Sequence, residues 1–302
     1  MDAASVVPDH VAVPYSDVHD LAARLAPRIA TSVATGGTVL AVLASAERAA
    51  LVRELGADAD RVRFADPLDE HAVPAFTVAV RWARLGRSTG SRAVVVGQHL
   101  DLPDRGDEYW ARLHIALNVA IEGLPVTMLC PHRGEMSECV ERTHPLLLTA
   151  DGPRRSPAYR TPPEAVVDFP PPPPPALGVP DLRVPFGLPD LPGLRRRIAA
   201  LGGTAGLGRD RVSDLVLAVS ELASNSVEHG AGTGTLSAWI RPHEVTVEVA
   251  DHGRMDVPFP GMVAPPTAGA RGRGLWLASE LTDVLQVWSD GSGTVIRVSS
   301  SR

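Results

Sequence analysis

The sequence contains no lysine, since every one of its 29 basic residues is an arginine. A phosphate-binding P-loop and a Schiff-base enzyme both depend on a lysine, so both are excluded. Cysteine is nearly absent as well, and Cys130 and Cys139 cannot make a framework of disulfides. Together with His132 and His144 they could bind a metal ion, although such a site usually takes about four ligands at short, paired spacings. The other interpretation is that both thiols bind no metal.

A net positive charge and long apolar runs are also missing. The formal net charge of the 302 residues is −6 at pH 7, whereas a general nucleic-acid binder needs a basic face. No apolar run reaches the roughly 18 to 20 residues of a membrane span, and the N-terminal MDAASVVPDH lacks the apolar centre of a signal peptide. With 44% apolar and 21% charged residues, we expect a soluble, cytoplasmic protein that binds neither nucleic acid nor membrane directly.

A proline-rich segment divides the sequence in two. It includes six consecutive prolines at 170–175, which favour an extended polyproline II conformation and act as a semi-rigid spacer. A proline-rich ligand for an aromatic-lined groove is the alternative. Since 302 residues are enough for two cores, we predict a domain over 1–155, a linker over 156–180 and a second domain over 181–302.

The first half alternates helical patterns with short apolar runs such as TVLAVLAS, RAVVVGQ and LPVTMLCP. These runs lack a period of two, which is typical of buried parallel strands, so the pattern predicts an α/β domain with a parallel sheet. Glu108, Tyr109, Trp110 and His114 lie on one predicted helix and could line a ligand pocket. An amphipathic core helix explains the same four residues equally well.

Five short motifs follow one another in this half: His10, YSD at 15–17, RFAD at 63–66, LCP at 129–131 and THP at 143–145. In this order, over roughly residues 8–150, they resemble the MEDS sensory domain of bacterial regulators. The resemblance implies a RecA-like α/β fold without a working P-loop. It also implies a domain that detects a signal rather than catalysing a reaction, and the sequence does not name the ligand.

The second half has an α+β pattern, with two long helices, a hairpin that turns at 242–243, a further helix and a hairpin that turns within 290–293. The helix over about 210–229 has apolar residues at three- and four-residue steps, which predicts a face that packs on a sheet. A second stripe on this helix consists of Asp214, Ala218, Glu221, Asn225 and Glu228. A solvated face would explain this stripe, but asparagine is a poor mid-helix residue and this chain has only two. A polar ligand is therefore favoured.

Three more segments with polar or glycine residues follow this helix. Asp251 and Gly253 end an alternating strand, where a carboxylate can accept a hydrogen bond from an exocyclic amine and a glycine permits close approach. A segment with two glycines then begins a predicted helix, and the free backbone N–H groups at the start of a helix suit phosphate. This segment consists of Gly272, Arg273, Gly274 and Leu275. Thr294 supplies a hydroxyl in the last strand.

Taken in this order, over residues 181–302, the helix and these three segments resemble the GHKL (Bergerat) ATPase fold. The resemblance implies an α+β sandwich that binds ATP and Mg²⁺. It implies that Asn225 holds Mg²⁺ through its side-chain oxygen and that Glu221 is the general base. It implies further that Asp251 binds the adenine amine, supported by Thr294 through water.

The same resemblance places the phosphates in a cradle made by Gly272, Arg273 and Gly274, with Leu275 next to it. His229 would either contact phosphate or simply close its helix. The segments ELASNSVEHG and GRGLWLASELTDVLQVWSDGSGTVIRV are most similar to anti-sigma-factor serine/threonine kinases. Such kinases bind a sigma factor and phosphorylate an anti-anti-sigma (STAS) protein, and a homodimer is compatible with this family.

Two other functions remain open on the sequence alone. A sensor histidine kinase needs a phosphoacceptor histidine on a helical hairpin directly before its ATPase domain, whereas the proline-rich segment stands there. The one candidate acceptor, His19, lies some 200 residues before the polar helix. A non-catalytic switch, which binds nucleotide and sequesters a partner, is the second alternative. The proline-rich loop before the last helix and its few cations are compatible with it.

Overall fold

The computed structural model describes residues 8–88, 92–265 and 273–302. The chain divides into two compact units, Met1–Pro170 and Pro171–Arg302, and each unit has one sheet. The division falls within the run of six prolines. Among the described residues, no helix combines the length and the apolar character needed to cross a bilayer.

The first unit has a mixed sheet of seven strands. In chain order these are β1 (His10–Tyr15), β2 (Thr38–Val42), β3 (Val62–Ala65), β4 (Ala93–Gly97), β5 (Val126–Arg133), β6 (Leu146–Thr149) and β7 (Gly152–Arg155). Their order in the sheet is β3-β2-β4-β5-β1-β6-β7. The pairs from β3 to β6 are parallel, as the sequence predicts, but β7 is antiparallel to β6 because a tight turn before Gly152 returns the chain directly.

Helices lie between the strands of this sheet, except for the last helix, which follows the last strand. They are α1 (Val18–Ala34), α2 (Ser45–Leu55), α3 (Pro67–Glu70), α4 (Ala75–Ser88), α5 (Asp107–Ala120), α6 (Glu138–Thr143) and α7 (Pro162–Ala165), with a 3₁₀ helix at Gly56–Arg61. α1 begins where the Asp17 carboxylate accepts hydrogen bonds from the backbone N–H groups of His19 and Asp20. All five residues of β4 are buried, as expected for a strand inside a parallel sheet.

In the second unit the described residues form an antiparallel sheet of five strands and three α-helices. The strands are β8 (Leu182–Gly187), β9 (Thr233–Arg241), β10 (Glu244–Asp251), β11 (Val284–Asp290) and β12 (Gly293–Ser301), in the order β11-β12-β10-β9-β8. The helices are α8 (Leu191–Thr204), α9 (Arg209–His229) and α10 (Gly274–Leu281), with a 3₁₀ helix at Leu188–Asp190. Both predicted hairpins are present, and His243 turns the first of them with a φ of 70°.

The core of the second unit lies between α9 and the sheet. The buried side chains of α9 recur at three- and four-residue steps, namely Leu215, Ala218, Val219, Leu222, Ala223 and Ser226. Ala218, the one residue of the second stripe without a polar side chain, is fully buried. The reason is that α9 contacts α8 and α10 as well as the strands, so its buried face is wider than a single sheet contact requires.

Candidate functional site

The polar pair of the site comes from α9. Glu221 and Asn225 lie one helical turn apart and are half-buried, whereas Glu228 and His229 at the end of the helix are exposed. Side chains four residues apart lie on the same face of a helix, so the carboxylate and the amide point to the same side of α9. This face continues past the buried Ser226 to Gly230, where the helix ends.

The start of α10 lies directly against this pair. A Cβ placed on Gly274 would be 2.9 Å from Asn225 Nδ2 and 3.1 Å from Glu221 Oε2. Only a glycine therefore lets the α10 backbone approach both side chains so closely. The first N–H groups of a helix have no partner inside it and carry the positive end of its dipole. The beginning of α10 thus offers hydrogen-bond donors and positive potential beside a carboxylate and an amide.

We expect Gly274→Ala to lower the free energy of unfolding by about 1–3 kcal/mol, because the added methyl group overpacks a filled contact. Gly203 in α8 is the matched control, since nothing lies within 4 Å of a Cβ placed there. Gly203→Ala should stabilise the protein by about 0.4–1 kcal/mol, because it restricts only the unfolded chain. Urea unfolding measures both effects. Equal stability of the two variants would show that the α10 backbone is not in close contact with α9.

The opposite wall of the site is built on paired ends of β10 and β12. Asp251 is paired with Thr294 in the antiparallel register, and its Oδ1 accepts a hydrogen bond of 2.7 Å from the Gly253 N–H. The Asp251 carboxylate also lies close to Gly230, where a Cβ would be 2.9 Å from Oδ1. The buried Thr294 hydroxyl donates to Gly253 O at 2.8 Å and lies 2.9 Å from the Ser289 hydroxyl. These bonds fix the loop after β10 against the sheet.

A cavity of about 490 Å³ lies between these two walls. Its volume is typical of a small-molecule site, as is its mainly apolar lining with a few polar groups. The apolar side chains are Met255, Val257, Phe259, Pro260, Val263, Leu275, Trp276 and Ile296. Trp276 also has a buried indole N–H that finds no hydrogen-bond partner among the described residues.

The structure brings most of the predicted residues together. The following line the cavity: Asn225, His229, Asp251, Gly253, Gly274, Leu275 and Thr294. Glu221 reaches the same place through its contact with Gly274. Arg273 immediately precedes α10 and is exposed, and Gly272 lies outside the described residues.

Sequence reasoning missed several residues of this site. Met255, Trp276 and Ile296 line the cavity, and Ser289 supports Thr294 and also accepts a hydrogen bond of 3.0 Å from the Met255 N–H. The apolar residues carry no chemical signature that separates them from core residues. Ser289 could have been found, because it lies opposite Thr294 across the predicted second hairpin.

The four residues predicted on one helix of the first unit do not share a site. Glu108 is exposed and pairs with Arg112 at 2.6 Å, while Tyr109 O–H lies 3.0 Å from His71 Nδ1. Trp110 and His114 are only 2% exposed. The structure therefore places Trp110 and His114 in the buried core and leaves Glu108 at the surface.

Comparison with known proteins agrees with this architecture in the second unit. Residues 184–300 match the family described as the histidine kinase-like ATPase domain. The match covers most of the second unit and supports the GHKL resemblance of this part of the chain.

A solved structure similar to this chain is the crystal structure of the RsbU and RsbW domains of Rv1364c from Mycobacterium tuberculosis. The identity is 19% and the TM-score 0.30, with 40% of this chain and 32% of that chain covered. The match thus spans about a third of the length of that structure. No curated protein matches the chain.

Proposed function

We propose that this protein is an ATP- and Mg²⁺-dependent serine/threonine kinase of the anti-sigma-factor type. Its substrate would be a STAS-type anti-anti-sigma protein, and it could also hold a sigma factor. The observation that supports the proposal most is that the Glu221 and Asn225 side chains lie close to Gly274 at the start of α10. This contact lies at the cavity whose other wall carries Asp251.

The described residues fit ATP and Mg²⁺ chemically. Asp251 offers a carboxylate for an exocyclic amine beside an apolar lining that suits a purine ring. The α10 N–H groups, beginning at Gly274, suit phosphate oxygens. The Asn225 side-chain oxygen suits Mg²⁺, a hard cation that is usually held by few protein oxygens and keeps several waters. Mg²⁺, when bound, supplies positive charge that offsets the charge of the phosphates.

Glu221 would act on the partner protein. Its carboxylate is half-buried beside the positive end of α10, close to the backbone that would bind phosphate. From there it can accept a hydrogen bond from a serine or threonine hydroxyl and take its proton as that oxygen becomes a nucleophile. Asn225, one turn further along α9, fixes the metal on the same side of the helix.

A nucleotide-binding switch without phosphoryl transfer is the second candidate function. Within the described part of the chain, Arg254 is the only arginine that lines the cavity, and its Nε is paired with Asp256 Oδ1 at 2.7 Å. A kinase uses positive charge to stabilise the transferred phosphoryl group, so a cavity with little free positive charge favours binding over transfer.

We further propose that the first unit has the sensory role implied by its MEDS-like motifs. The support is its mainly parallel α/β sheet, the class of fold that those motifs imply. A signal bound there would control the kinase in the second unit.

The first test is a calorimetric titration of the full chain with ATP, with and without Mg²⁺. We expect saturable binding that is much tighter with Mg²⁺. Labelled ATP is then supplied together with a STAS protein, and acid-stable label on that protein indicates a phosphoserine or phosphothreonine. Binding without transfer would favour the switch, acid-labile label on this chain would favour a histidine kinase, and no binding would contradict both nucleotide-based functions.

A further inference from the structure

A cluster of histidines lies in the first unit, apart from the nucleotide site. We call it the histidine cluster; its members are Cys130 and five of the ten histidines of the chain, namely His10, His99, His114, His132 and His144. The ring centroids of His10 and His114 lie 4.3 and 4.2 Å from that of His144. The side chains come from β1, β5, α5, the segment after β4 and the end of α6.

Many ring nitrogens of this cluster have no hydrogen-bond partner. Within the described residues the buried nitrogens without a partner include His99 Nδ1, His114 Nδ1, His114 Nε2, His132 Nε2 and His144 Nε2. Buried polar groups in folded proteins are nearly always paired, and each exception needs an explanation. Here several unpaired ring nitrogens lie close together. This indicates that they bind one shared ion, rather than that each is a separate packing defect.

Two of the histidines are oriented in the way that metal-binding histidines are. His10 Nδ1–H donates to Asn118 Oδ1 at 2.8 Å, and Asn118 Nδ2 donates in turn to Thr143 O, which fixes the direction of the amide. His144 Nδ1–H donates to Val140 O at 2.9 Å. The other nitrogen, Nε2, has no hydrogen-bond partner among the described residues in His144, and in His10 it lies 3.2 Å from the Cys130 sulfur. A second-sphere acceptor on one nitrogen is the usual support for a metal on the other.

Four potential ligand atoms lie close enough for one ion. His10, His114, Cys130 and His144 each offer one atom, and all four atoms lie within 4.8 Å of one another. His10 Nε2 is 3.2 Å from Cys130 Sγ. Three imidazoles and one thiolate are typical ligands of Zn²⁺, whereas Mg²⁺ and Ca²⁺ take oxygen.

A thiolate rather than a thiol binds a metal ion, so one proton would leave the Cys130 sulfur when a metal–sulfur bond forms.

We propose that His10, His114, Cys130 and His144 bind one divalent transition-metal ion of the zinc type in the core of the first unit. Four protein ligands close the site, which is the arrangement of a structural zinc centre. The ion would connect β1, α5, β5 and the end of α6. Cys139, which the sequence allows as a ligand, belongs to neither group of potential ligands within the described residues.

A second group of potential metal ligands includes the same His114 ring. His99, His114 and His132 also have ligand atoms within 4.8 Å of one another, so His114 can serve only one of the two sites through a given nitrogen. His99 is only half-buried, and this group contains no thiol. The thiolate therefore distinguishes the two arrangements by spectroscopy.

The test uses the full chain, freed of metal with a chelator and titrated with Zn²⁺ and with Co²⁺. We expect one ion per chain and, with Co²⁺, a sulfur-to-metal charge-transfer band in the near ultraviolet. Cys130→Ser, which is nearly isosteric, should abolish the band and weaken Zn²⁺ binding at least about tenfold. Cys139→Ser is the matched control and should leave both unchanged.

Three results would overturn the proposal: no metal binding by the wild type, an equal affinity in Cys130→Ser, or a band that depends on Cys139 instead. Retained binding in Cys130→Ser together with loss in His132→Gln would assign the ion to the second group and equally refute the proposed one. Far-ultraviolet circular dichroism of each metal-free variant checks that it is folded, so that misfolding is not read as loss of a ligand.

Discussion

Glu221→Gln is expected to slow phosphoryl transfer to the partner protein by about 10²- to 10⁴-fold, the usual contribution of a general base. Glutamine keeps the size of the side chain at its contact with Gly274, but its amide cannot take a proton from a hydroxyl. ATP affinity should change little, because the proposed role of Glu221 concerns the attacking hydroxyl. Initial rates with labelled ATP and a calorimetric titration of the same preparation measure the two quantities.

Glu228→Gln is the control for this experiment. Glu228 lies on the same helix and loses the same charge, but its side chain is exposed. It should retain the wild-type rate. If both variants slow the reaction equally, the effect comes from the overall charge of α9. If Glu221→Gln reacts at the wild-type rate, Glu221 is not the base.

Asn225→Ala should weaken Mg²⁺-dependent ATP binding by at least about 100-fold, because loss of even an outer-sphere partner of a metal ion typically weakens binding about 10–100-fold. The change should raise the helix propensity of α9, since alanine is a better mid-helix residue than asparagine. A loss of affinity therefore cannot be attributed to unfolding of α9. Titrations with ATP at fixed Mg²⁺ and in the presence of a chelator measure the Mg²⁺-dependent part.

Asn225→Asp is the informative companion variant. It keeps an oxygen in the same position and Asp is itself a common ligand of Mg²⁺, so Mg²⁺-dependent binding should persist. If wild type and Asn225→Ala bind ATP with equal affinity and the same dependence on Mg²⁺, Asn225 is not a ligand of Mg²⁺. Loss of binding in both variants would mean that the amide nitrogen, close to Gly274, is the group that matters.

The grouping of polar residues at the candidate site could be predicted because these residues lie in short segments with a local pattern. Asn225 and Glu221 are one turn apart on a strongly periodic helix, and Asp251 ends an alternating strand. The apolar half could not be predicted in the same way. Trp276 and Met255 become lining residues only when α10 and the loop after β10 come together, and nothing local to either residue signals that contact.

Two parts of the fold also escaped prediction for physical reasons. β8 contains Pro185, which argues against a strand in most places and is tolerated here because β8 is at the edge of the sheet. The histidine cluster joins positions from His10 to His144, of which only Cys130 and His132 are close together in the sequence. Parallel strands bring distant segments side by side, so the pairing of β1 with β5 places His10 near Cys130 although 120 residues separate them.

The edge position of β8 has a consequence for self-association. An unpaired strand edge is a template on which another chain can add a strand, and this is a common route to aggregation. In β8 the backbone lacks one N–H at Pro185, and the exposed Arg183 adds a charge, so this edge accepts a further strand poorly. A dimer built by sheet extension would therefore have to form through β11, at the opposite edge of the sheet.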